Sequence, residues 1–273
     1  MIYELSYEDF NKVKRIFQNE QYHPVINGVI NGMNRGRIFV NNIENPTAVL
    51  VWAINEMFYL AGDSQDIIFQ HSLEKYIIDI IIPAAIQLGE DYFNLELYPH
   101  NEWAPVLPSI FKKTNLQQGE RVPFTFHKDQ FHKLSLRKTA PSGYSLRKID
   151  LSVIQKDLSN IIKNEILKFW DSLQSFLDNG IGYCVLNNNE VIGTCISVFV
   201  SENEYEIGIN TYQTEHRGKG LATLMAASFI QDCIAIGGNP HWTTESFRRD
   251  SIAIAEKLGF EKLEHYPVYF FPF

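Results

Sequence analysis

The stretch Thr214–Leu224, TEHRGKGLATL, places charged residues, a histidine and two glycines directly before an apolar run. The first turn of a helix has unpaired backbone N–H groups and the positive end of the helix dipole. Gly218 and Gly220 let the backbone approach a ligand closely, and Arg217 and Lys219 add positive charge. The stretch therefore predicts an anion site at a helix start, with a diphosphate as its natural ligand.

The surrounding pattern predicts alternating strands and helices. A strand at 204–212 precedes the loop, and a helix follows from Gly220 to about 236. The apolar stripe of this helix comprises Ala222, Met225, Ala226, Phe229, Ile230, Cys233 and Ile234. The strand HWTTE at 241–245, a helix at 246–258 and a last strand at 266–272 complete this part.

Two common diphosphate motifs do not fit the loop. A Walker loop needs GxxxxGK[ST], whereas Lys219 is followed by Gly220. A dinucleotide-binding loop needs a third Gly or Ala, and an acidic strand end about 20 residues later, and neither is in place.

The rest of the chain divides into two halves, joined at 137–143 by residues typical of a linker. The first half predicts helices at 5–32, 67–88 and 102–112, and strands at 36–42, 46–53, 56–62, 91–98 and 121–128. The second half begins with a strand at 144–149, two helices within 150–179, and a hairpin of 182–187 with 191–200. The element order is similar in the two halves, which suggests two similarly built domains. Two unrelated domains remain an alternative.

Composition limits the partners. A net charge of -8 and a pI near 5.5 argue against nucleic acid or an anionic membrane surface, because such binding needs many Lys and Arg contacts. The N-terminus has no signal-peptide pattern, and no apolar run approaches ~18 residues. Cys184, Cys195 and Cys233 have no metal-like spacing, so we expect free core thiols in a cytoplasmic protein. A nucleophilic cysteine is the alternative.

The segment RGKGLA also satisfies the pattern (Q/R)-x-x-G-x-(G/A), with Arg217, Gly220 and Ala222 at the defining positions. Here the sequence resembles the GNAT superfamily of acetyl-CoA-dependent N-acetyltransferases, in which this loop holds the pyrophosphate of coenzyme A. The ending LGF at 258–260 is similar to that of the family. The amino-acid sequence of residues 206–246 resembles the subfamily that includes the zwittermicin A resistance acetyltransferase. The likeness is strong over 143–273, but the N-terminal half resembles the family only in general layout.

The resemblance implies an α/β (α+β) fold with two tandem GNAT-like domains, each a mixed central sheet flanked by helices. Residues 143–273 would form the catalytic domain. Residues 1–136 would form a degenerate domain without a phosphate loop, which packs on the other and shapes the substrate cleft. Its corresponding loop begins with Asp63 and also contains Asp66, and two carboxylates there would repel a diphosphate.

The resemblance also implies acetyl-CoA as cosubstrate, no metal, and a small amine as partner. The pantetheine arm would pair with the backbone of Ile209, Asn210, Thr211 and Tyr212. The pyrophosphate would lie on the backbone amides of Arg217, Gly218, Lys219, Gly220, Leu221 and Ala222, with the Thr223 hydroxyl beside them. Arg248 and Ser251 complete the expected coenzyme A contacts, although Arg248 and Arg249 also fit solvated helix charges.

The amine must lose a proton before it attacks the thioester, which calls for a general base. We expect Glu206 in this role, since several family members carry their catalytic glutamate there and Gly208 would leave room for a substrate. A salt-bridged strand glutamate is the alternative, with Glu245 and His241 as the next candidates. Four further residues have alternative roles. The family's usual tyrosine before LGF, which protonates the leaving thiolate, is replaced by Ala255. Either Tyr212 or Ser251 would take this role, or the thiolate would leave without help. Separately, Phe169 and Trp170 fit either a substrate wall or the core.

Three functions follow from this pattern. The sequence favours an N-acetyltransferase that acts on a small amine, of which an amino-bearing antibiotic is one example. A tandem-GNAT aminoacyl transferase would use charged tRNA, against which the acidic net charge and the intact pyrophosphate loop both argue. The third is a non-catalytic acyl-CoA sensor or scaffold, which Ala255 keeps open.

Overall fold

The computed structural model describes residues 1–18, 24–134 and 139–273, and the chain forms two compact units. The first unit consists of Met1–Glu120 together with Tyr266–Phe273, and the second of Arg121–His265. Of the predicted linker at 137–143, residues 137 and 138 lie outside the described part of the chain.

The first unit combines a sheet with short helices. Its strands are β1 (Tyr3–Glu4), β2 (Gly36–Val40), β3 (Ala48–Ala53), β4 (Met57–Gly62), β5 (Tyr92–Tyr98) and the C-terminal β14 (Tyr266–Pro272). Its α-helices are α1 (Pro24–Ile30), α2 (Ile67–Tyr76), α3 (Ile82–Gln87), α4 (His100–Trp103) and α5 (Leu107–Ile110). A π-helical turn at Ile77–Ile81 joins α2 to α3, and 3-10 helices occupy Tyr7–Phe17 and Ala104–Val106. The sequence did not predict β1, because two residues carry no periodicity.

Among the described residues, the strands of this unit pair in the order β1-β2-β3-β4-β5-β14, with β4–β5 parallel and the other pairs antiparallel. Aromatic side chains fill one of its faces. Trp52 stacks on Phe58 with ring centroids 5.3 Å apart, and Phe58 on Phe93 at 4.4 Å. Each of these rings is almost fully buried, so their transfer from water contributes on the order of 2–3 kcal/mol apiece.

Gly62 at the end of β4 lies close to the backbone of Thr47. Its φ is +89°, and a Cβ there would overlap the carbonyl oxygen of Thr47. We expect Gly62→Ala to destabilise the protein by about 3 kcal/mol or more, since backbone strain adds to a backbone clash. Gly89→Ala is the matched control, because its φ is +83° and nothing lies within 4 Å. It should cost only about 1 kcal/mol. Equal shifts of the two urea unfolding midpoints would contradict the clash.

The second unit is built around a second sheet. The strands of the second unit are β6 (Gln117–Phe126, which crosses from the first unit), β7 (Tyr144–Lys148), β8 (Gly182–Asn187), β9 (Glu190–Ser201), β10 (Glu204–Thr211), β11 (Asn239–His241), β12 (Thr243–Glu245) and β13 (Phe260–Lys262). Its helices are α6 (Lys128–Lys133), α7 (Leu151–Lys156), α8 (Ile161–Phe169), α9 (Leu173–Asn179), α10 (Leu221–Ala235) and α11 (Arg249–Lys257), with a 3-10 turn at Thr214–His216. The sequence did not predict α6 or β13.

Strand order in the second sheet is β11-β10-β9-β8-β7, with β10–β11 parallel and the other pairs antiparallel. The prediction of a single strand at 241–245 is wrong. Its first residue belongs to β11, which pairs with β10, whereas β12 pairs with Arg121–Pro123 of β6. The segment breaks at Trp242 because its two ends join different partners.

Three helices, not the two predicted, occupy residues 150–179. The Asp150 side chain accepts from the backbone N–H of Val153 and caps α7, while the Ser172 hydroxyl accepts from the N–H of Ser175 and caps α9. Between α7 and α8 the chain turns at Asn160, whose φ is +55°. Asn tolerates this left-handed conformation better than most residues. These caps were legible in the sequence, and they explain why one of the predicted helices is divided.

Helix α10 packs on the second sheet. The predicted stripe is confirmed for Met225, Ala226, Phe229, Ile230 and Cys233, all buried. Ala222 and Ile234 are only half-buried, whereas Leu221, Leu224 and Ala227 are buried as well. The buried face is therefore wider than the predicted stripe. Gly237 ends the helix with a φ of +80°.

The bounds of the two units differ from the predicted division at 136 and 143. Residues 121–126 of β6 belong to the second unit because they pair with β12 and β13. The last strand, β14, belongs to the first unit because it pairs antiparallel with β5. Strand pairing that is distant in sequence decides both bounds.

The protein thus has a mixed α/β fold with two sheets flanked by helices, as predicted. Among the described residues, no helix combines the length and the apolar character that crossing a membrane requires.

Candidate active site

The loop before α10 presents unpaired amides in open space. Gly218 and Gly220 have φ values of +72° and +78°, and a Cβ at either would meet nothing within 4 Å. Gly220 is the N-cap of α10 and offers no side-chain cap. Among the described residues, no backbone carbonyl accepts from the amides of residues 218–223. The local sequence therefore leaves a helix N-terminus open to an anionic group.

Strand β10 loses the strand partner on one of its edges before it reaches this loop. Strand β11 pairs with β10 only from Glu204 to Glu206, after which the chain crosses to β6. Residues 207–211 of β10 keep their pairing with β9. Within the described residues, their other edge has no strand partner. An extended group with amide N–H and C=O groups can bind such an edge as an additional strand would.

A cavity of about 460 Å³ lies between the free edge of β10, the loop and α11. Of the residues predicted to bind the cofactor, its lining includes Ile209, Asn210, Thr211, Arg217, Gly218, Gly220, Leu221, Ala222, Thr223, Arg248 and Ser251. The structure thus brings most of the predicted set together around one space, although the set spans more than 40 positions of sequence, from Ile209 to Ser251.

Two predicted cofactor residues, Tyr212 and Lys219, do not line this cavity. The Tyr212 hydroxyl is bonded to the Thr194 hydroxyl at 2.7 Å, and burial together with the charge of Glu165 raises the pKa of Tyr212 well above its usual value. The Lys219 ammonium donates to the Tyr144 hydroxyl at 2.8 Å. Arg217 stays beside the loop, where its Nε donates to the Thr211 carbonyl at 3.2 Å.

Helix α11 supplies the remaining wall of the cavity. Ser251 lies in its first turn and is mostly buried, and its hydroxyl oxygen accepts from the indole N–H of Trp242 at 3.0 Å. Arg248 is about half exposed, with its guanidinium 3.5 Å from the Glu245 carboxylate. Ala255, where the family carries tyrosine, is fully buried in this helix.

Glu206 lies where β10 loses its pairing with β11. Its side chain is only 4% exposed, and Oε1 accepts from the backbone N–H of Thr243 at 3.1 Å. It does not line the cavity described above. The space expected at Gly208 is absent, because a Cβ there would overlap a methyl group of Val198. Val198 is the extra residue in β9 where the β9–β10 register shifts, which brings its side chain over Gly208.

The other catalytic candidates have different surroundings. Glu245 has one carboxylate oxygen, Oε2, that is buried and forms no hydrogen bond, although Arg248 lies close by. His241 is bonded through Nε2 to the Glu204 carboxylate. Neither residue lines the cavity.

Phe169 and Trp170 belong to the core. Trp170 is fully buried, and its indole N–H donates to the Ser197 carbonyl at 2.9 Å. Phe169 meets Phe199 edge-on, with centroids 5.8 Å apart. Of the two roles open in the sequence, the structure supports packing.

The cavity is also lined by three residues that were not predicted from the sequence, His216, Asp250 and Ile254. His216 adjoins the loop motif, so its position was a usable signal. Asp250 and Ile254 lie on α11 near Ser251, and the helical spacing of Ser251 and Ile254 would have placed both on one face.

The corresponding helix start in the first unit is already capped. The Asp66 carboxylate accepts from the N–H of Phe69 at 2.9 Å and from Asn41 at 2.8 Å. Burial raises the pKa of Asp66, but these hydrogen bonds outweigh it, so the pKa lies below its usual value. A protein carboxylate thus occupies the position that a phosphate would need at α2.

A metal site does not appear in the described part of the chain, where no group of three or more His, Cys, Asp and Glu side chains could hold an ion. The chain is similar to known proteins in three comparisons. A family model described as GNAT acetyltransferase matches residues 14–269. The uncharacterised N-acetyltransferase YdfB of Bacillus subtilis (strain 168) is 26% identical over 273 residues, which cover 99% of this chain and 98% of that protein.

Among solved structures, a GCN5-related N-acetyltransferase-like protein from Streptococcus suis 89/1591 has a TM-score of 0.71 at 22% identity, covering 96% of this chain and 98% of that one. A tandem GNAT protein from the clavulanic acid biosynthesis pathway has a TM-score of 0.58 at 10% identity, covering 100% and 98%. These two likenesses concern the fold alone. The match of the family model over most of the chain shows that this protein belongs to the GNAT acetyltransferase family and is an acyltransferase.

Proposed function

We propose that this protein transfers an acetyl group from acetyl-CoA to the primary amine of a small molecule by direct attack. The observation that carries the proposal is the free edge of β10 beside the uncapped start of α10, around one cavity. The uncapped amides suit a diphosphate, and the strand edge suits the amide groups of a pantetheine arm. The residues present therefore fit coenzyme A.

Bound in this way, acetyl-CoA supplies an acetyl thioester beside β10. The amides of residues 218–223 would bind the pyrophosphate and the backbone of Ile209–Thr211 would orient the arm. The Arg217 amide, also predicted to bind the pyrophosphate, instead donates to the Thr214 carbonyl at 3.0 Å. The indole N–H of Trp242 can only donate, so the Ser251 hydroxyl oxygen accepts from it. The hydroxyl proton of Ser251 is therefore available for a group in the cavity. We assign Ser251 the protonation of the leaving thiolate, a role that the Tyr212 hydroxyl, bonded to Thr194, is less well placed to fill.

Glu206 is the proposed general base. It lies on β10 at the point where the strands separate, and a buried carboxylate there can take the proton of an amine that approaches along β10. Its hydrogen bond from Thr243 fixes the position of one oxygen. The acceptor is a small amine, and amino-bearing antibiotics form one class that is worth testing. No coenzyme A site is proposed in the first unit. The cytoplasmic location stays a prediction.

The first test is calorimetric titration of acetyl-CoA into the purified protein. We expect micromolar binding with one site. No binding at millimolar acetyl-CoA would overturn the proposal. A panel of amines, including polyamines and aminoglycosides, then identifies the acceptor through release of the coenzyme A thiol. Aminoacyl-tRNA serves as the alternative donor, and its use in place of acetyl-CoA would favour aminoacyl transfer.

The thiol readout requires that the protein's own cysteines stay silent. All three are buried, and burial raises the pKa of Cys184 and of Cys233 to about 12. At pH 8 these thiols remain protonated, and only thiolates react quickly. We therefore expect no reaction of the native protein with dithiodipyridine within minutes, and titration of the three thiols after unfolding in guanidinium. Fast labelling of the native protein would contradict the burial.

A further inference from the structure

A chain of hydrogen bonds connects the loop before α10 with β7. The Lys219 ammonium donates to the Tyr144 hydroxyl at 2.8 Å and lies 5.3 Å from the centroid of its ring. The same hydroxyl is 2.9 Å from Nδ1 of His216, and the two rings meet edge-on. All of these residues belong to the second unit, and His216 lines the cavity beside Arg217 and Gly218.

The chemistry of the donors limits where the protons can lie. An ammonium group can only donate, so the Tyr144 oxygen accepts from Lys219. The Tyr144 proton is then free for the other contact and can be donated to Nδ1 of His216, where the roles of donor and acceptor depend on the imidazole tautomer. A ring nitrogen that accepts carries no proton, so the proton of the neutral imidazole is on Nε2. Among the described residues, the ring forms no hydrogen bond other than that with Tyr144.

We infer that Tyr144 is a positioning residue that holds His216 as a neutral Nε2–H donor to a phosphate oxygen of the ligand in this cavity. The inference rests on the proposed function, in which that ligand is acetyl-CoA. It also gives Lys219 an indirect role, because its ammonium fixes the direction of the Tyr144 proton. Phosphate oxygens are strong acceptors, and a hydrogen bond to a charged group is about twice as strong as one between neutral groups.

The first readout needs no ligand. Nitrogen-15 NMR of the imidazole rings reports which nitrogen carries the proton, and the His216→Ala spectrum identifies the signals of His216. We expect the Nε2–H form, with Nδ1 shifted by an accepted hydrogen bond. Tyr144→Phe should move the Nδ1 signal of His216. Tyr183→Phe should not, since that hydroxyl donates to Asp232 elsewhere in the unit.

The second readout is the Kd of coenzyme A at fixed ionic strength. His216→Ala should raise it about tenfold or more, the usual effect of losing a hydrogen bond to a charged group. His216→Gln should recover part of the loss, because its amide nitrogen can take the place of Nε2. Tyr144→Phe should weaken binding in the native background but have little further effect in His216→Ala, since the two act through one contact. Tyr183→Phe is again the control.

The 3′-dephospho form of coenzyme A distinguishes the possible sources of the phosphate. If His216→Ala has the same effect on this ligand, the contact is with the diphosphate. If the effect disappears, the contact is with the 3′-phosphate. An unchanged Kd in His216→Ala, additive losses in the double variant, or a proton on Nδ1 would each overturn the inference. Absence of coenzyme A binding to the native protein would instead overturn the proposed function, and the NMR result on the free protein would show whether the proton arrangement itself is correct.

Discussion

Gly220→Glu is expected to reduce acetyl-CoA affinity at least about 100-fold, and in practice to abolish measurable binding. The new carboxylate lies at the N-cap of α10, where the unpaired amides and the helix dipole attract an anion. It competes for those amides and repels the diphosphate of the ligand. The φ of +78° also adds backbone strain of roughly 1–2 kcal/mol for a residue with a Cβ.

Strain alone could also weaken binding, and Gly237→Glu controls for it. Gly237 follows the other end of the same helix, has a φ of +80° and likewise has nothing within 4 Å of a Cβ. Both variants should lower the free energy of unfolding by similar amounts. Only Gly220→Glu should lose acetyl-CoA binding in the calorimeter. Loss in both variants would mean that strain, and not the anion site, governs affinity.

Glu206→Gln is expected to lower kcat with the best amine by about 10²–10⁴, the usual contribution of a general base. The amide cannot accept a proton from the amine, whereas its oxygen can still accept from the Thr243 N–H. The Kd of acetyl-CoA should stay within about twofold, since Glu206 does not line the cavity. The measurement is kcat for thiol release across pH 6–10, alongside calorimetry.

Glu204→Gln is the matched control for this variant. It changes the same residue type two positions earlier on β10, where the carboxylate is bonded to His241 and Asn239. Its kcat should remain close to that of the native protein. If Glu206→Gln keeps normal turnover, Glu206 has a structural role, and Glu245 with its unbonded buried oxygen becomes the next candidate.

Local patterns were enough to predict much of the second unit. The helical stripe of α10, the hairpin at Asn188 and Asn189, and the glycines of the loop depend on neighbouring residues. The free edge of β10 did not follow from the residues themselves. It requires that the chain break at Trp242 and pair with β6, a choice made by strands more than 100 positions away.

The catalytic candidates show the same limit. Alternation along β10 correctly places Glu206 on that strand, but it does not show that Val198 fills the space over Gly208, because that space depends on a register shift in β9. Similarly, the charge of Lys219 was legible, whereas its direction toward Tyr144 depends on where β7 lies. Side-chain direction between distant elements is a property of packing, which a local pattern does not contain.

The return of the last strand to the first unit reverses the usual order of assembly on the ribosome. Domains commonly fold from the N-terminus as the chain emerges. Here β14 pairs with β5, so the unit that begins with Met1 lacks one of its strands until Tyr266–Pro272 has been synthesised. All residues of the second unit precede that strand. The residues of the proposed acetyl-CoA site are therefore all synthesised before the strand that completes the first unit.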